Sequence, residues 1–478
     1  MPHSSLYIDG HWAEGVLRQT SQVSCPASGE VIATFSDASR EDTDLAIAAA
    51  RRAYDSSAWR QSPRQRSAFL LSLASALESN AESIADEIAS CNGKLIGEAR
   101  HEITVAASEF RYYAGLARNI FGRVTEVEPG LMAMLSREPM GVAGIIVPWN
   151  APITLLARSL APALAAGCSV VVKAASQTAL PTATAIRLAE KISGLPQGII
   201  NLIQESGQEC GQRLVQSEDV DVISYTGSTP VGKAIMAAGA LTLKRLNLEL
   251  GGNAPVLVLP CADLKAAAAG ITKGALAHAG QVCVAASRVI VHRDVAEGLR
   301  AALISSLSEI KVGLQRDPSA RMGPLINSRS RERVLNLQED AGSSSIRHLA
   351  CQAPAHLPTS GGFITPGLVE IKDPSSKLLH EEVFGPLLSM IVCGDEQEMI
   401  AAANRSRFGL AAAVWTADHG KAQRMAKALK SGTVWINGHM RLHAEIETGG
   451  YKESGIGRLH GVEGLEAFLQ TKHVSWVM

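Results

Sequence analysis

An alternation of short apolar segments with helical segments begins near residue 142 and constrains this 478-residue chain more than any other feature. Short apolar strands that alternate with helices form βαβ units and a buried parallel sheet. The alternation resumes after about residue 255 and runs to Asn437, so the sequence predicts an α/β protein with two such units, separated at Gly251-Gly252. The predicted strands are Val142–Val147, Ser169–Lys173, Gly198–Ile203 and Val222–Tyr225, and the predicted helices are Ile153–Ala166, Thr178–Ser193 and Val231–Leu241.

The rest of the chain has other patterns. Residues 5–35 predict short strands joined by turns, and residues 43–118 carry apolar side chains at helical spacing. Two alternating segments on either side of Pro129-Gly130 predict a hairpin, and Thr471–Met478 predicts a final edge strand. Such edge strands expose backbone groups that can pair with a second subunit.

Composition argues against several classes of protein. The chain is 46% hydrophobic with a formal net charge of −1, unlike a disordered chain or a nucleic-acid binder, whose binding face is usually basic. The N-terminus has neither the basic start nor the apolar run of a signal peptide. The most apolar segment, Val142–Ala157, is interrupted by prolines and is too short to cross a bilayer. We therefore expect a cytoplasmic protein that binds no membrane and no nucleic acid.

Eight cysteines are scattered along the chain, and none belongs to a Cys-x-x-Cys pair. This distribution predicts no metal site and no disulfide framework, and it is typical of a reducing compartment. Cys283 follows a helical segment directly after Gly280-Gln281-Val282, where a thiolate would be a nucleophile if its pKa were lowered. The other seven are predicted to be inert buried thiols: Cys25, Cys91, Cys168, Cys210, Cys261, Cys351 and Cys393.

Two more candidate segments follow predicted strands. Gly227-Ser228 comes after Val222–Tyr225 and opens a helix, where glycine lets the backbone approach a phosphate and free N–H groups attract an anion. Taken alone, this is equally an ordinary glycine-rich turn. Asn150 follows Val142–Val147 and could direct its amide at an oxyanion, or it could be a turn residue between two prolines.

Two carboxylates complete the candidates. Glu249 ends a predicted strand just before Gly251-Gly252, where it could serve as a mobile general base or be a solvated terminal residue. Glu382 lies in the segment 381–386, which taken alone reads as a charged turn. Glu249 precedes Cys283 by about 34 residues.

Together these segments resemble the aldehyde dehydrogenase superfamily over nearly the whole chain, from Leu6–Gly10 to Gly449–Lys452. The resemblance implies that family's α/β fold: a Rossmann-like cofactor domain, an α/β catalytic domain and a small β oligomerisation element. It places the cofactor domain at residues 1–120 and 140–251, the catalytic domain at 252–453, and the oligomerisation element and C-terminal tail at 121–139 and 454–478. A homodimer or homotetramer is expected.

The resemblance also implies an activity, the NAD(P)-dependent oxidation of a small-molecule aldehyde to a carboxylic acid. Cys283 matches the family's nucleophile, which passes through a thiohemiacetal and a thioester. Glu249 matches the general base that assists hydrolysis, and Asn150 matches the oxyanion-hole amide. Cofactor-binding positions are matched by Trp149, Lys173, Ser176, Gly207, Gly227, Ser228, Glu382 and Phe384, with Lys173 at the adenosine ribose and Glu382 at the nicotinamide ribose.

The cofactor site departs from the family pattern in two places. Ser176 stands where many NAD-using relatives have a glutamate that binds the adenosine 2′-hydroxyl and repels a 2′-phosphate. We therefore expect NADP to be accepted beside NAD or in preference to it, with Lys173 pairing with the phosphate; the alternative is that Ser176 merely permits both. Glu205-Ser206-Gly207 replaces a Gly-x-Gly pattern common in relatives, and only Gly207 is kept.

The predicted substrate tunnel has few aromatic residues. Arg158 resembles an arginine that holds the distal carboxylate in succinate-semialdehyde dehydrogenases, so we expect a semialdehyde or another polar or aromatic aldehyde. The alternative is that Arg158 faces a structural carboxylate. The other positions expected near the substrate are Ala151, Val282, Val284 and Thr448, with His439, Arg441 and His443 as possible cations at the tunnel mouth.

Two rival functions are open on the sequence alone. A CoA-acylating aldehyde dehydrogenase would pass the acyl group to CoA instead of water, but relatives of that type commonly lack a carboxylate at the position of Glu249. A non-catalytic protein that keeps the fold is disfavoured by the complete set Asn150, Glu249, Cys283 and Glu382.

Overall fold

A computed structural model describes residues 1–340, 346–349 and 354–478. Up to residue 140 the chain forms short strands, four helices and a hairpin, as the sequence predicts. In chain order these elements are β1 (His3–Ser4), β2 (Leu6–Ile8), β3 (His11–Ala13), β4 (Thr20–Ser24), β5 (Val31–Ser36), α1 (Arg40–Ser56), α2 (Pro63–Ser79), α3 (Ala81–Asn92), α4 (Ile96–Leu116), β6 (Arg123–Glu128) and β7 (Leu131–Pro139).

The predicted βα alternation is confirmed from Val142 to Glu249. Its elements are β8 (Val142–Ile146), α5 (Pro152–Ala166), β9 (Ser169–Ala175), α6 (Ala179–Glu190), β10 (Ile200–Glu205), α7 (Glu209–Gln216), β11 (Val222–Thr226), α8 (Thr229–Gly239) and β12 (Arg245–Glu249). The third strand starts two residues later than predicted, because Gly198 has a φ of 79° and belongs to the preceding turn.

The second half of the chain repeats the alternation with more interruptions. Its elements are β13 (Ala254–Val258), α9 (Leu264–Leu276), β14 (Ala286–His292), α10 (Ala296–Ser308), α11 (Ser328–Asp340), β15 (Ile346–Leu349), β16 (Gly367–Glu370), α12 (Lys377–His380), β17 (Leu387–Cys393), α13 (Glu396–Asn404), β18 (Phe408–Gly409), β19 (Ala411–Trp415), α14 (His419–Ala428), β20 (Thr433–Ile436), β21 (Tyr451–Lys452), β22 (Gly455–Ile456), α15 (Gly461–Glu466) and β23 (Leu469–Val477).

The first large sheet has eight strands in the order β22-β12-β11-β8-β9-β10-β2-β3. Its five central strands are parallel, while β22 pairs antiparallel with β12 at one side, and at the other side β2 pairs antiparallel with β10 and β3 with β2. Both faces of the central strands are covered, so their valines and isoleucines are buried. The carboxyl ends of the five parallel strands share one edge, which is where open α/β sheets bind their ligands.

The second large sheet has seven strands in the order β15-β16-β17-β14-β13-β19-β20, with only β15 antiparallel among the described strands. Because β12 ends at Glu249 and β13 begins at Ala254, Gly251-Gly252 connects the two sheets. A separate antiparallel sheet, β23-β7-β6, joins the hairpin to the C-terminal strand. The tail also contributes β22 to the first sheet. The domain limits drawn from the sequence stay a prediction.

Cysteine burial differs from expectation at two described positions. Cys261 is exposed in the turn after β13, where its thiol lies 3.0 Å from the Thr416 hydroxyl, and Cys25 is only half-buried. Both expectations of burial were wrong: Cys261 lies in a surface turn away from the core, and Cys25 packs against the core with only part of its surface buried. Cys351 lies outside the described residues. No helix in the described part of the chain combines the length and apolar character needed to cross a bilayer.

Candidate active site

The carboxyl edge of the first sheet gathers candidates from across 100 residues of sequence. Each comes from the end of a parallel strand or the turn that follows it, so the sheet itself places them side by side. In strand order they are Trp149 and Asn150 after β8, Lys173 and Ser176 at the end of β9, Gly207 after β10, Gly227 and Ser228 after β11, and Glu249 at the end of β12.

Asn150 is connected directly to the segment that carries Cys283. Its buried side-chain amide donates to the carbonyl oxygen of Gln281 over 2.9 Å, two residues before the thiol. Gln281 is itself fully buried, donating to the carbonyl of His278 over 3.0 Å and accepting from the backbone N–H of Ile326 over 2.8 Å. Sequence reasoning assigned Gln281 no role, and only its buried contacts reveal that it holds the loop.

The turn before Cys283 is sharply bent. His278, Ala279 and Gly280 have φ values of 47°, 53° and 75°, in the left-handed region that costs a non-glycine residue free energy. A Cβ on Gly280 would lie 2.4 Å from the carbonyl oxygen of Gly385, so only glycine fits there. The bend ends α9 and turns the chain toward Asn150.

Cys283 lies partly accessible between the two sheets. Removal from water raises the pKa of its thiol to about 11, with the charges of Glu382 and Glu249 acting in the same direction and that of Arg158 opposing them. The thiol is therefore mostly protonated at neutral pH in the free protein, and a cation bound beside it would favour the thiolate.

Glu249 is buried, so its interpretation as a solvated strand end is wrong. Only 4% of the residue is exposed, and its Oε1 has no hydrogen-bond partner among the residues the structure describes. Burial raises the pKa of this carboxyl to about 7, against the opposing charges of Arg158 and Arg458. A carboxylate with a pKa near neutrality is suited to take a proton from water.

Glu382 joins the second sheet to the glycine pair. Its Oε1 accepts a hydrogen bond from the backbone N–H of Gly252 over 3.1 Å, and burial raises the pKa of its carboxyl to about 7. A Cβ on Gly251 would lie 2.5 Å from Glu382 Oε2, and a Cβ on Gly252 would lie 2.2 Å from the carbonyl oxygen of Cys283. The two glycines thus allow the carboxylate and the nucleophile's backbone to approach closely.

Two aromatic rings, those of Trp149 and Phe384, contact each other near this carboxylate. Trp149 and Phe384 have ring centroids 5.7 Å apart at an interplanar angle of 89°, an edge-to-face arrangement. Trp149 follows a strand of the first sheet and Phe384 precedes one of the second. The sequence predicted both as cofactor-packing residues, and the fold brings them together.

The adenosine side of the predicted cofactor site contains an ion pair that the sequence did not reveal. The Lys173 ammonium lies 3.4 Å from Oε1 of Glu205, the last residue of β10. The hydroxyl of Ser176 donates to the side-chain oxygen of Gln177 over 3.2 Å. Gly207 follows in an exposed loop. The cation expected to meet a phosphate therefore already has a carboxylate partner.

Arg158 is buried on α5 beside the predicted general base. Its Nη2 donates to the hydroxyl of Thr226 over 2.9 Å, and Thr226 is the register partner of Glu249 in the sheet. Its Nε has no partner among the described residues. The hydrogen-bond partner is a hydroxyl group, whereas the alternative drawn from the sequence was a structural carboxylate.

The expectation that His439 adds a cation at the tunnel mouth is wrong. Its ring N–H donates to the carbonyl oxygen of Val284 over 2.8 Å, and burial lowers its pKa to about 4, so the ring is neutral near pH 7. The contact supports the segment after Cys283. Val284 is buried and Val282 is half-buried on either side of the thiol, and Arg441 and His443 are exposed.

The aldehyde dehydrogenase family model matches residues 12–474 of this chain. The chain belongs to the aldehyde dehydrogenase family. This aldehyde dehydrogenase is 37% identical over 479 residues to a putative aldehyde dehydrogenase, DhaS, of Bacillus subtilis (strain 168), a match that covers 99% of this chain and 95% of the relative. It is 36% identical to the betaine aldehyde dehydrogenase of the same organism, over 98% of this chain and 96% of that one.

Solved structures agree with this assignment. A betaine aldehyde dehydrogenase point mutant from Staphylococcus aureus, in complex with NAD+ and with a BME-modified cysteine, has a TM-score of 0.96 at 37% identity, covering 99% of this chain and 95% of that one. Another betaine aldehyde dehydrogenase structure from that organism, in complex with NAD+, has a TM-score of 0.96 at 36% identity, covering 99% and 94%. The predicted α/β fold is therefore confirmed, and this aldehyde dehydrogenase is an oxidoreductase that acts on aldehydes.

Proposed function

We propose that this enzyme oxidises an aldehyde to a carboxylic acid, with Cys283 as nucleophile, Glu249 as general base and NAD as cofactor. Two observations at the junction of the two sheets support the proposal. The Asn150 amide is hydrogen-bonded to the loop that carries the Cys283 thiol, and the buried carboxyl of Glu249 has a pKa of about 7. NAD+ is bound in the similar structures from Staphylococcus aureus.

The residues at the sheet edge fit such a cofactor. Glu382 keeps a carboxylate near the glycine pair, Trp149 and Phe384 provide apolar surface, and the turn Gly227-Ser228 opens α8, whose first N–H groups and dipole favour a phosphate. When bound, the nicotinamide supplies the acceptor for hydride.

The first chemical stage takes place at Cys283. Its thiol first releases its proton to water, and the thiolate attacks the carbonyl carbon. The C=O electron pair moves to oxygen, where the Asn150 amide and the N–H of Cys283 stabilise the charge. One such donor contributes roughly 3–4 kcal/mol to transition-state stabilisation. The tetrahedral carbon then gives up hydride, the oxygen re-forms its double bond, and the acyl group stays on sulfur as a thioester.

The second stage depends on Glu249. Its carboxylate takes a proton from a water molecule, whose oxygen attacks the thioester carbon. The carbon–sulfur bond breaks, the carboxylic acid leaves, and the thiolate of Cys283 is restored. Burial of Glu249 keeps the pKa of this base near 7 and keeps its carboxyl away from bulk solvent.

For the substrate we propose an aldehyde with an acidic or polar far end. Arg158 is a buried cation whose Nε has no partner among the described residues, and a substrate carboxylate would accept a hydrogen bond from this unpaired N–H. Succinic semialdehyde should be oxidised with a higher kcat/KM than pentanal, and R158M should lose this preference while R158K keeps part of it. A higher kcat/KM for the neutral aldehyde would contradict the substrate proposal.

We also propose a cytoplasmic homodimer or homotetramer. The sheet β23-β7-β6 exposes apolar side chains that pairing would cover, among them Val124, Val127 and Trp476. Size-exclusion chromatography with light scattering gives the mass in solution, and a monomer at micromolar concentration would contradict the proposal.

A further inference from the structure

We propose that Glu205 sets the cofactor preference of this enzyme, by supplying from β10 the carboxylate that β9 lacks at Ser176, so that NAD is favoured over NADP. The inference rests on the proposed function and on the expectation from sequence that Lys173 lies at the adenosine ribose. The sequence expectation that NADP is accepted did not take account of the ion pair between Lys173 and Glu205.

The geometry places Glu205 next to the predicted ribose site. β9 and β10 are parallel neighbours, and Glu205 pairs in register with Ala175, the residue before Ser176. Its side chain reaches back to the Lys173 ammonium at 3.4 Å. Only 3% of Glu205 is exposed, so its charge is screened little by solvent.

Two backbone N–H groups of α7 also hold the carboxylate in place. Its Oε2 accepts from the backbone N–H of Cys210 over 2.8 Å, and its Oε1 accepts from that of Gly211 over 3.0 Å, both in the first turn of α7. The following residue, Ser206, donates its backbone N–H to Asp37 over 2.9 Å, which fixes the start of the loop. Moving the Glu205 side chain away when a cofactor binds would break these hydrogen bonds to α7, so we expect the carboxylate to stay in place.

This arrangement discriminates between a hydroxyl and a phosphate. A ribose 2′-hydroxyl is neutral and can donate to a carboxylate or accept from an ammonium. A 2′-phosphate brings nearly two negative charges, and it would meet a lysine already neutralised by Glu205 and the fixed charge of the carboxylate itself. Ser176 carries no charge that would repel the phosphate, but Glu205 makes the site electrostatically unfavourable for it.

The test compares E205Q and E205G with the wild-type enzyme. E205Q removes the charge at nearly constant volume, and E205G restores the residue common at this place in relatives. E209Q is the matched control, because Glu209 is an exposed carboxylate only four residues away that opens the same helix. Binding of 2′,5′-ADP and of 5′-AMP is measured by isothermal titration calorimetry, kcat/KM is measured with NADP and NAD, and thermal unfolding verifies that each variant is folded.

In the wild type we expect 5′-AMP to bind more tightly than 2′,5′-ADP. Both Glu205 variants should raise the affinity ratio of 2′,5′-ADP to 5′-AMP, and the kcat/KM ratio of NADP to NAD, by about tenfold or more, while E209Q changes either ratio less than about twofold. Unchanged ratios in both folded Glu205 variants, or an equal change in E209Q, would overturn the inference. A wild-type enzyme that binds 5′-AMP but reduces neither cofactor with any aldehyde would instead overturn the proposed function.

Discussion

The side-chain amide of Asn150 donates to the carbonyl oxygen of Gln281 over 2.9 Å, and this bond links the end of β8 to the loop that carries Cys283. The amide nitrogen has a second N–H, to which the proposed mechanism assigns the oxyanion together with the backbone N–H of Cys283. N150A should lower kcat by about 10²–10³-fold with a smaller change in KM, because the oxyanion forms only during reaction. Steady-state kinetics measures this split. A variant that loses only stability and keeps kcat per folded molecule would contradict the assignment.

The thiols of Cys261 and Cys283 should differ in reactivity and in function. Cys261 is exposed and the Thr416 hydroxyl lowers its pKa, whereas the pKa of Cys283 is raised to about 11 by burial. Iodoacetamide at pH 7 without cofactor should therefore label Cys261 before Cys283, and labelling of Cys283 should accelerate as the pH rises toward 11. Peptide mass spectrometry resolves the two sites. C283A should abolish aldehyde oxidation and C261A should leave it intact; the opposite pattern would remove Cys283 from the mechanism.

Hydrolysis of the thioester should follow the ionisation of Glu249. Its pKa of about 7 means that the base is protonated below pH 7 and active above it. The deacylation rate should therefore rise with pH up to about 7 and then level off. E249Q should abolish this increase with pH while still allowing one turnover of cofactor reduction. Rapid-mixing absorbance of the reduced cofactor separates the burst from the steady state. A wild-type-like steady state in E249Q would contradict the role.

Ionisation of the buried Glu249 carboxyl should lower the free energy of unfolding above neutral pH. Because the folded pKa of about 7 lies above the ordinary value of 4.5, the folded protein binds the proton more tightly than the unfolded chain. The resulting decrease in the free energy of unfolding is absent below about pH 4.5 and grows between the two pKa values. It is constant above pH 7, at on the order of 3 kcal/mol. E249Q should therefore raise the Tm at pH 8 and change it little at pH 4.5. An equal shift at both pH values would indicate a packing effect instead.

Gly252 should not tolerate a side chain. A Cβ there would lie 2.2 Å from the carbonyl oxygen of Cys283, so G252A must displace the nucleophile's backbone. We expect activity to fall by at least about 100-fold, since a displacement of about 1 Å is enough for such a loss. Gly97 on α4 is the control, because a Cβ there meets no atom within 4 Å and alanine favours a helix. Activity is measured beside circular dichroism, and an active G252A would contradict the close contact.

Much of this fold and site could be predicted from sequence, for identifiable reasons. Apolar strands alternating with helices specify a parallel sheet, and a parallel sheet puts Asn150, Lys173 and Glu249 at one edge wherever its exact boundaries fall. The contacts of individual side chains could not be read in the same way. The pairing of Lys173 with Glu205 depends on the register of β9 and β10, which a single sequence does not specify.

Two interpretations of the sequence, the alternative that Glu249 is solvated and the expectation that His439 is a cation, fail because residue type does not reveal burial. Glu249 and His439 are polar, and such side chains are mostly exposed in proteins, yet here both are buried and their pKa values move toward the neutral form. Cys261 is the converse, a residue type that is usually buried but stands here in a surface turn.

The glycine pair between the sheets has a consequence for how this enzyme can change over generations. At Gly251 and Gly252 the neighbouring atoms occupy the volume where any larger residue would begin. A side chain at Gly252 would displace the backbone of Cys283, so adaptation to a new aldehyde cannot use this position and is left to residues whose exchange does not move the reacting sulfur. The position that supports the nucleophile's backbone is thereby closed to the substitutions through which substrate selectivity could change.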